Sequence, residues 1–261
     1  LQFCALHFFW QMRLELQFDL DKPEINLDYR RLILSWLKAG LTRCNQGKYY
    51  ERYFGGTEQK DYSFTVLLGR AKFTREKIYL PEPKMKVIFS ADNRHKTGLI
   101  FYSSFLGMKN NHYPLPEGNT MTLRRVSQKR EQLINESTIY FQTCLGNGLC
   151  IREHDRETNR DRFITYKDSD FREKAIEILK YQASMAGFPE SILEDLSIEP
   201  VQCKKVLVYF YKRYIDVSVG IFKMHGNPDV LQYFYEAGMC SKKSAGFGQV
   251  NILRQGETGD E

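Results

Sequence analysis

Residues 238–253 read GMCSKKSAGFGQVNIL: two lysines between glycines, then Gly-Phe-Gly, then the last apolar run of the chain. Glycine reaches positive φ and lets another backbone approach closely. Exposed N–H groups in such a turn, with lysine beside them, form a nest for an anion. On chemistry alone this is a phosphate-contacting loop. The plainer reading is a flexible turn between the apolar run 228–236 and a strand at 249–253, since glycine-rich turns are common. The rest of the chain decides between the two.

Working back from this loop, apolar periodicity marks two similar units. Met12, Leu14, Leu16 and Phe18 alternate with polar residues as in a half-buried strand. Tyr29, Leu32, Ile33, Trp36, Leu37 and Leu41 recur at helical spacing, which predicts an amphipathic helix over 28–42. YSFTVLL (62–68) and KMKVIFS (84–90) read as strands, 92–107 as a helix with Leu99, Ile100 and Phe105 inward, and MTLRRVSQ as the next strand. The second half offers strands at 136–143, LCIRE and RFITY, a helix at 169–185, a long β-rich stretch at 203–224, a short helix at 228–236 and the closing strand. The order fits two successive β-α-β-β-α-β units, an α+β fold with antiparallel sheets. Expected divisions are an N-terminal extension at 1–11, a first domain at 12–120, a second at 121–254 and an acidic tail at 255–261. Met12 is expected to be the natural start, with a hydrophobic arm that packs on a neighbour as the competing view.

Composition narrows the function class. The formal charge of +6 favours a polyanionic partner without requiring one. The six cysteines are dispersed, with no CxxC pair, which suits a reducing cytoplasm better than a secreted scaffold. Cys144, Cys150 and His154 have poor zinc spacing, so no metal or other cofactor is expected. The apolar opening LQFCALHFFWQ is too short to span a membrane, and no membrane association is expected. Paired sheets of this kind, with aromatic faces and basic loops, suit single-stranded RNA and hairpin stems.

The segment 238–250 with its AGFGQV core resembles the glycine-rich signature of the repeat-associated RNA-binding superfamily of CRISPR systems. CIREHDRETNRDRFITY (150–166) is similar to the central stretch of its precursor-processing endoribonucleases, the sixth CRISPR-associated family. The resemblance runs from Met12 to Leu253. It implies two tandem ferredoxin-like (RRM-like) domains and metal-independent cleavage of CRISPR repeat RNA (pre-crRNA) into guide crRNAs. In that reaction a 2′-hydroxyl attacks the adjacent phosphate, leaving a 2′,3′-cyclic phosphate and a 5′-hydroxyl. CRISPR effector complex subunits and a second copy in a homodimer are the further partners it suggests.

By the same resemblance the base, acid and charge stabiliser come from the first helix and the loop after it, a histidine aided by tyrosine and lysine. This chain departs there: no histidine lies between Tyr29 and Tyr62. The matching positions are Tyr53 for the histidine, Lys60 for the lysine and Lys38 on the helix, with Tyr49 and Tyr50 in reserve. An ordinary tyrosine is a poor base at neutral pH, and the competing view is an aromatic cluster packed on the sheet. RNA contacts are expected from Gly238, Lys242, Lys243, Gly246, Phe247 and Gly248, from Arg124, Arg125, Lys129 and Arg130, and from Arg152 and His154. A solvated strand edge is the alternative for the four basic residues at 124–130. His95, in the first turns of the second helix, and His112, in the loop before Pro114, reach the scissile phosphate only if the fold brings them there, which the sequence does not show. His7 and His225 have no supporting context. Two rivals stand beside cleavage: a repeat-binding protein of the same fold that does not cut, and an enzyme holding a phosphorylated metabolite at the glycine loop.

Overall fold

The computed structural model describes residues 12–56 and 59–257. The expected extension at 1–11 and the end of the acidic tail lie outside the described residues. The first unit comprises β1 (Met12–Leu20), β2 (Glu24–Asn26), α1 (Tyr29–Arg43), α2 (Tyr50–Phe54), β3 (Tyr62–Leu67), β4 (Lys72–Phe73), β5 (Lys77–Tyr79), β6 (Lys84–Ala91), α3 (Thr97–Met108), β7 (His112–Pro114) and β8 (Thr120–Gln128). Its main sheet runs β3-β6-β1-β8-β7, antiparallel throughout. The alternation of β1 sends Leu14, Leu16 and Phe18 to one face, where the apolar stripe of α1 covers them. Trp36 meets Phe18 edge-on at 5.0 Å and stacks on Phe105 at 5.4 Å, locking α1 and α3 to the sheet.

Two expectations change here. Helix α3 begins at Thr97 rather than 92, because Asp92–Lys96 form a turn in which Lys96 has φ +61°. Leu99 is consequently exposed, while Phe101 takes the buried place. Strand β8 pairs with β1, so the boundary expected between 120 and 121 moves to the link at 129–137. A bulge opposite Gln17 and Phe18 skips Arg124, which turns both Arg124 and Arg125 outward.

The second unit comprises β9 (Thr138–Thr143), a hairpin of β10 (Ile151–Asp155) and β11 (Arg160–Ile164), α4 (Phe171–Met185), β12 (Ser197–Phe210), β13 (Arg213–His225), α5 (Pro228–Ala237) and β14 (Val250–Gln255). The order β12-β13-β9-β14 repeats that of β3-β6-β1-β8, so both sheets have the ferredoxin-like arrangement. The β-rich stretch 203–224 is a hairpin whose turn residues, Tyr211 and Lys212, both have positive φ, as a tight two-residue connection requires. Helix α5 opens on Asn227, whose side chain accepts from the Asp229 N–H at 2.9 Å, with Pro228 in the first turn.

The glycine-rich segment joins the two units. Gly238 lies against Ser63 of β3, where a Cβ would stand 2.6 Å from the serine Cβ. Arg30 of α1 is buried, stacks on Phe247 at 4.7 Å, and donates to the carbonyls of Gly246 (3.1 Å) and Gly146 (2.7 Å). Arg13 of β1, also buried, donates to the Val250 carbonyl (3.1 Å) and Asn251 Oδ1 (2.7 Å). Asn147 donates to Phe64 O and Thr65 Oγ1. Gly248 lets its backbone approach that of Met239, while Gly238 and Gly246 leave room for the side chains of Ser63 and Phe64.

Candidate nucleic-acid interface

The loop after α1 does not assemble as one catalytic group. Lys38 Nζ lies 5.3 Å from the Phe54 ring, and the Tyr50 ring is tilted against the same phenyl at 5.6 Å between centroids. Tyr49 rests partly on the core beneath Lys48. Tyr53 turns inward. It is 3% exposed, its ring sits against Tyr62 and Phe101, and its hydroxyl donates to Thr97 Oγ1 at 3.0 Å. Burial pushes its phenol above the ordinary range. The catalytic expectation for Tyr53 is therefore corrected: in this short helix its position is the one that faces the sheet. Lys60 stands near Arg52, with Nζ 3.4 Å from the Arg52 carbonyl.

The glycine segment is corrected as well. Gly238, Gly246, Phe247 and Gly248 are buried in the joint between the units and present nothing to an RNA. Lys243 is 2% exposed, its Nζ lies 3.4 Å from the Tyr233 hydroxyl, and burial lowers its ammonium to about 8. Lys242 alone of the two lysines stays partly open, with Nζ 5.5 Å over the Phe210 ring. A phosphorylated metabolite held by this loop is excluded by the same burial.

Positive charge gathers instead where β10–β11 meets the β12–β13 turn. Asp161, nearly buried, receives Arg152 Nε at 2.7 Å, His154 Nδ1 at 2.8 Å and Arg213. Burial opposes ionisation of Asp161, but these three hydrogen bonds outweigh it and hold the carboxyl below its usual range. Arg213 lies over Phe163 at 5.4 Å, and Arg31 of α1 lies over Tyr211 at 4.7 Å. Arg152, His154, Arg213, Lys242 and Arg31 thus face solvent around one buried carboxylate and a set of aromatic rings, which is the chemistry of phosphate and base contact.

Beside this cluster a groove of about 1000 Å³ opens on the sheet face turned away from α4 and α5. Alternation separates the faces: Phe141, Phe222 and Met224 pack under the helices, while Gln142, Val219 and Ile221 line the groove. Tyr209, Tyr214 and Lys204 border it on one side, and Phe73 and Tyr29 of the first unit on the other. On β8 the cations are partly balanced: Arg124 pairs with Asp19 at 2.9 Å, and Lys129 with Glu15 at 3.6 Å. Arg125 and Arg130 are exposed on that strand and just past it. Sequence reasoning missed Arg213, Arg31 and Tyr211, because nothing local shows that a distant turn folds against β10–β11.

Among the described residues, no helix is long and apolar enough to cross a membrane. One group, Asp61, Asp92 and His95, brings ligand-type atoms within 4.8 Å of one another.

Two ferredoxin-like sheets, joined by a buried glycine segment and with a basic face at the joint, define the fold and the candidate interface of this protein. Residues 127–252 match the family model described as CRISPR associated protein Cas6, C-terminal. The resemblance read from 150–166 and 238–250 stands on it. Over 82 residues the chain is 29% identical to a CRISPR-associated endoribonuclease-like protein Cas6 of Pyrococcus furiosus, a match spanning 31% of this chain and 33% of that relative. A solved structure of a Cas6-related gene product from Pyrococcus furiosus superposes with a TM-score of 0.77 at 16% identity, covering 94% of this chain and all of that one. Another, a RAMP protein described as binding different RNA substrates, gives 0.76 at 16% identity over 93% of this chain and all of that one. These two likenesses show the shared fold.

Proposed function

We propose that this chain binds CRISPR repeat RNA across the joint between its sheets and cuts it without a metal ion. A 2′-hydroxyl attacks the neighbouring phosphate, giving a 2′,3′-cyclic phosphate and a 5′-hydroxyl. The observation that carries the binding half is the convergence of Arg152, His154, Arg213 and Lys242 beside aromatic rings, in the half that matches the Cas6 family. Phosphates meet the cations, and unpaired bases lie along Tyr209 and Tyr214 in the groove.

The test is incubation with labelled repeat RNA in EDTA. A single cut is expected, and a 2′-deoxy nucleotide upstream of the scissile phosphate abolishes it while affinity holds. Dependence on magnesium, or normal cutting of the deoxy substrate, would sink the mechanism. One observation favours a second reading, repeat binding without cleavage: Tyr53 is buried, so the loop after α1 presents no base in the histidine's place. Retention of RNA with no product is its signature.

The basic face gives a separate expectation. Arg213→Ala together with Lys242→Ala should weaken repeat binding and lower the log–log salt slope by about 1.5, at roughly 0.7–0.9 for each phosphate no longer neutralised. Lys243→Ala, by contrast, should leave the slope unchanged, because that ammonium is enclosed. An equal change in both slopes would refute the placement of RNA on this face.

A further inference from the structure

The cleavage reading lacks a base, and the fold supplies one from outside the loop. His95 lies in the turn before α3, and its Nδ1 is 3.2 Å from Asp61 Oδ2. The imidazole is 56% exposed and the carboxylate 19%, so the ring is open to a large substrate while its partner is sheltered. Arg52, from the loop helix α2, donates to the His95 carbonyl at 3.1 Å, and Lys60 donates to the Arg52 carbonyl. On the other flank Arg94 binds Asp92 at 2.9 Å and stacks over Phe188 and Tyr233 of the second unit. The pair therefore stands at the joint between the units, at the far end of the loop that follows α1.

Building on the cleavage reading above, we propose that His95, oriented by Asp61, is the proton acceptor for the attacking 2′-hydroxyl, with Arg52 and Lys60 holding the scissile phosphate. An imidazole that donates through Nδ1 to a carboxylate presents an unprotonated Nε2 as acceptor, and the carboxylate stabilises the imidazolium that forms. Nε2 takes the 2′-hydroxyl proton as the 2′-oxygen bonds to phosphorus. The bond from phosphorus to the 5′-oxygen breaks, and that oxygen takes a proton from the Lys60 ammonium. Lys60 is then reprotonated from solvent, and His95 returns its proton there. Two cations beside the histidine stabilise the crowded phosphorane. The same three ligand-type residues suggest a cation site, but Arg94 already engages Asp92, which leaves a dyad rather than an open cage.

Single-turnover cleavage of repeat RNA separates the possibilities, with affinity measured on the 2′-deoxy substrate. His95→Ala is expected to slow cutting roughly 100- to 10,000-fold with affinity within about threefold of wild type, as for a group used in the transition state. Added imidazole should restore part of the rate to His95→Ala and to no other variant. Asp61→Asn should slow cutting about tenfold or more and add little on top of His95→Ala. An exposed ring should not be needed for folding, and thermal melts of His95→Ala check this. A wild-type rate in His95→Ala, transfer of the loss to His154→Ala, or a cut that EDTA abolishes and manganese restores would overturn the dyad while leaving repeat processing intact. A wild-type protein that binds the repeat and never cuts it removes the cleavage reading and the dyad together.

Discussion

Gly248→Ala is expected to destabilise the protein by on the order of 3 kcal/mol or more, the range reached when a side chain is forced into filled space at a strained backbone position. Gly248 has φ +68°, and a Cβ there would stand 1.9 Å from the Met239 carbonyl oxygen and 2.9 Å from its carbon. Both are backbone atoms in a ladder: Met239 N–H donates to Gly248 O at 2.8 Å, and Gly248 N–H to Gly148 O at 2.9 Å. Neither side can yield without breaking these hydrogen bonds. Gly69 is the control. It has φ +61° but open space around its Cβ position, so Gly69→Ala should cost only the backbone term, about 1–2 kcal/mol. Equal losses in urea unfolding would show that conformation alone, and not the close approach, fixes Gly248.

The second large effect concerns pH. Glu131, in the link between the sheets, is 7% exposed, and neither carboxylate oxygen has a hydrogen-bond partner. Burial, reinforced by Glu236, pushes its carboxyl up to about 8. Burial raises Glu236 to about 7 against the hydrogen bond it accepts from Gln232. Both acids therefore hold protons in the folded chain that the unfolded chain releases near the ordinary carboxyl value, about 4.3. Their contribution is fully present below that pH and is lost as pH rises through about 7 and 8. Lys243, neutral in the folded chain above about 8 but protonated when unfolded, acts in the opposite sense: stability recovers at higher pH. The melting temperature should pass through a minimum near pH 8. Glu131→Gln, which keeps the shape and cannot ionise, should raise stability there by roughly 2 kcal/mol and change little at pH 5. A melting temperature that Glu131→Gln leaves unchanged at pH 8 would mean that the buried carboxyl is not protonated.

The strands and helices were legible because their signals are local. Leu14, Leu16 and Phe18 alternate, Ile33, Trp36, Leu37 and Leu41 form one stripe, and each pattern appears in the structure at its expected place. The repeat of a β-α-β-β-α-β unit was legible in the element order, whereas the strand order that the two sheets share was not. The boundary at β8 was misplaced because proline and glycine at 114–118 punctuate strongly, whereas the partner of a strand is a tertiary fact. For the site, residue type was a poor guide to exposure. Lys243 and Tyr53 have the right chemistry but the wrong side of the surface, and burial depends on the whole joint. His95 was visible as a residue, but its approach to Asp61 across 34 positions was not.

Arg13 and Arg30 carry a consequence for how this molecule meets its ligand. Each is a buried guanidinium of one half whose acceptors belong to the other. Swinging the halves apart would break all four of these hydrogen bonds at once, together with the stacking of Arg30 on Phe247. The molecule therefore has no jaws. On the repeat-binding reading proposed above, the RNA has to do the bending, and an RNA too stiff to follow a fixed surface should be rejected for its rigidity, whatever its sequence.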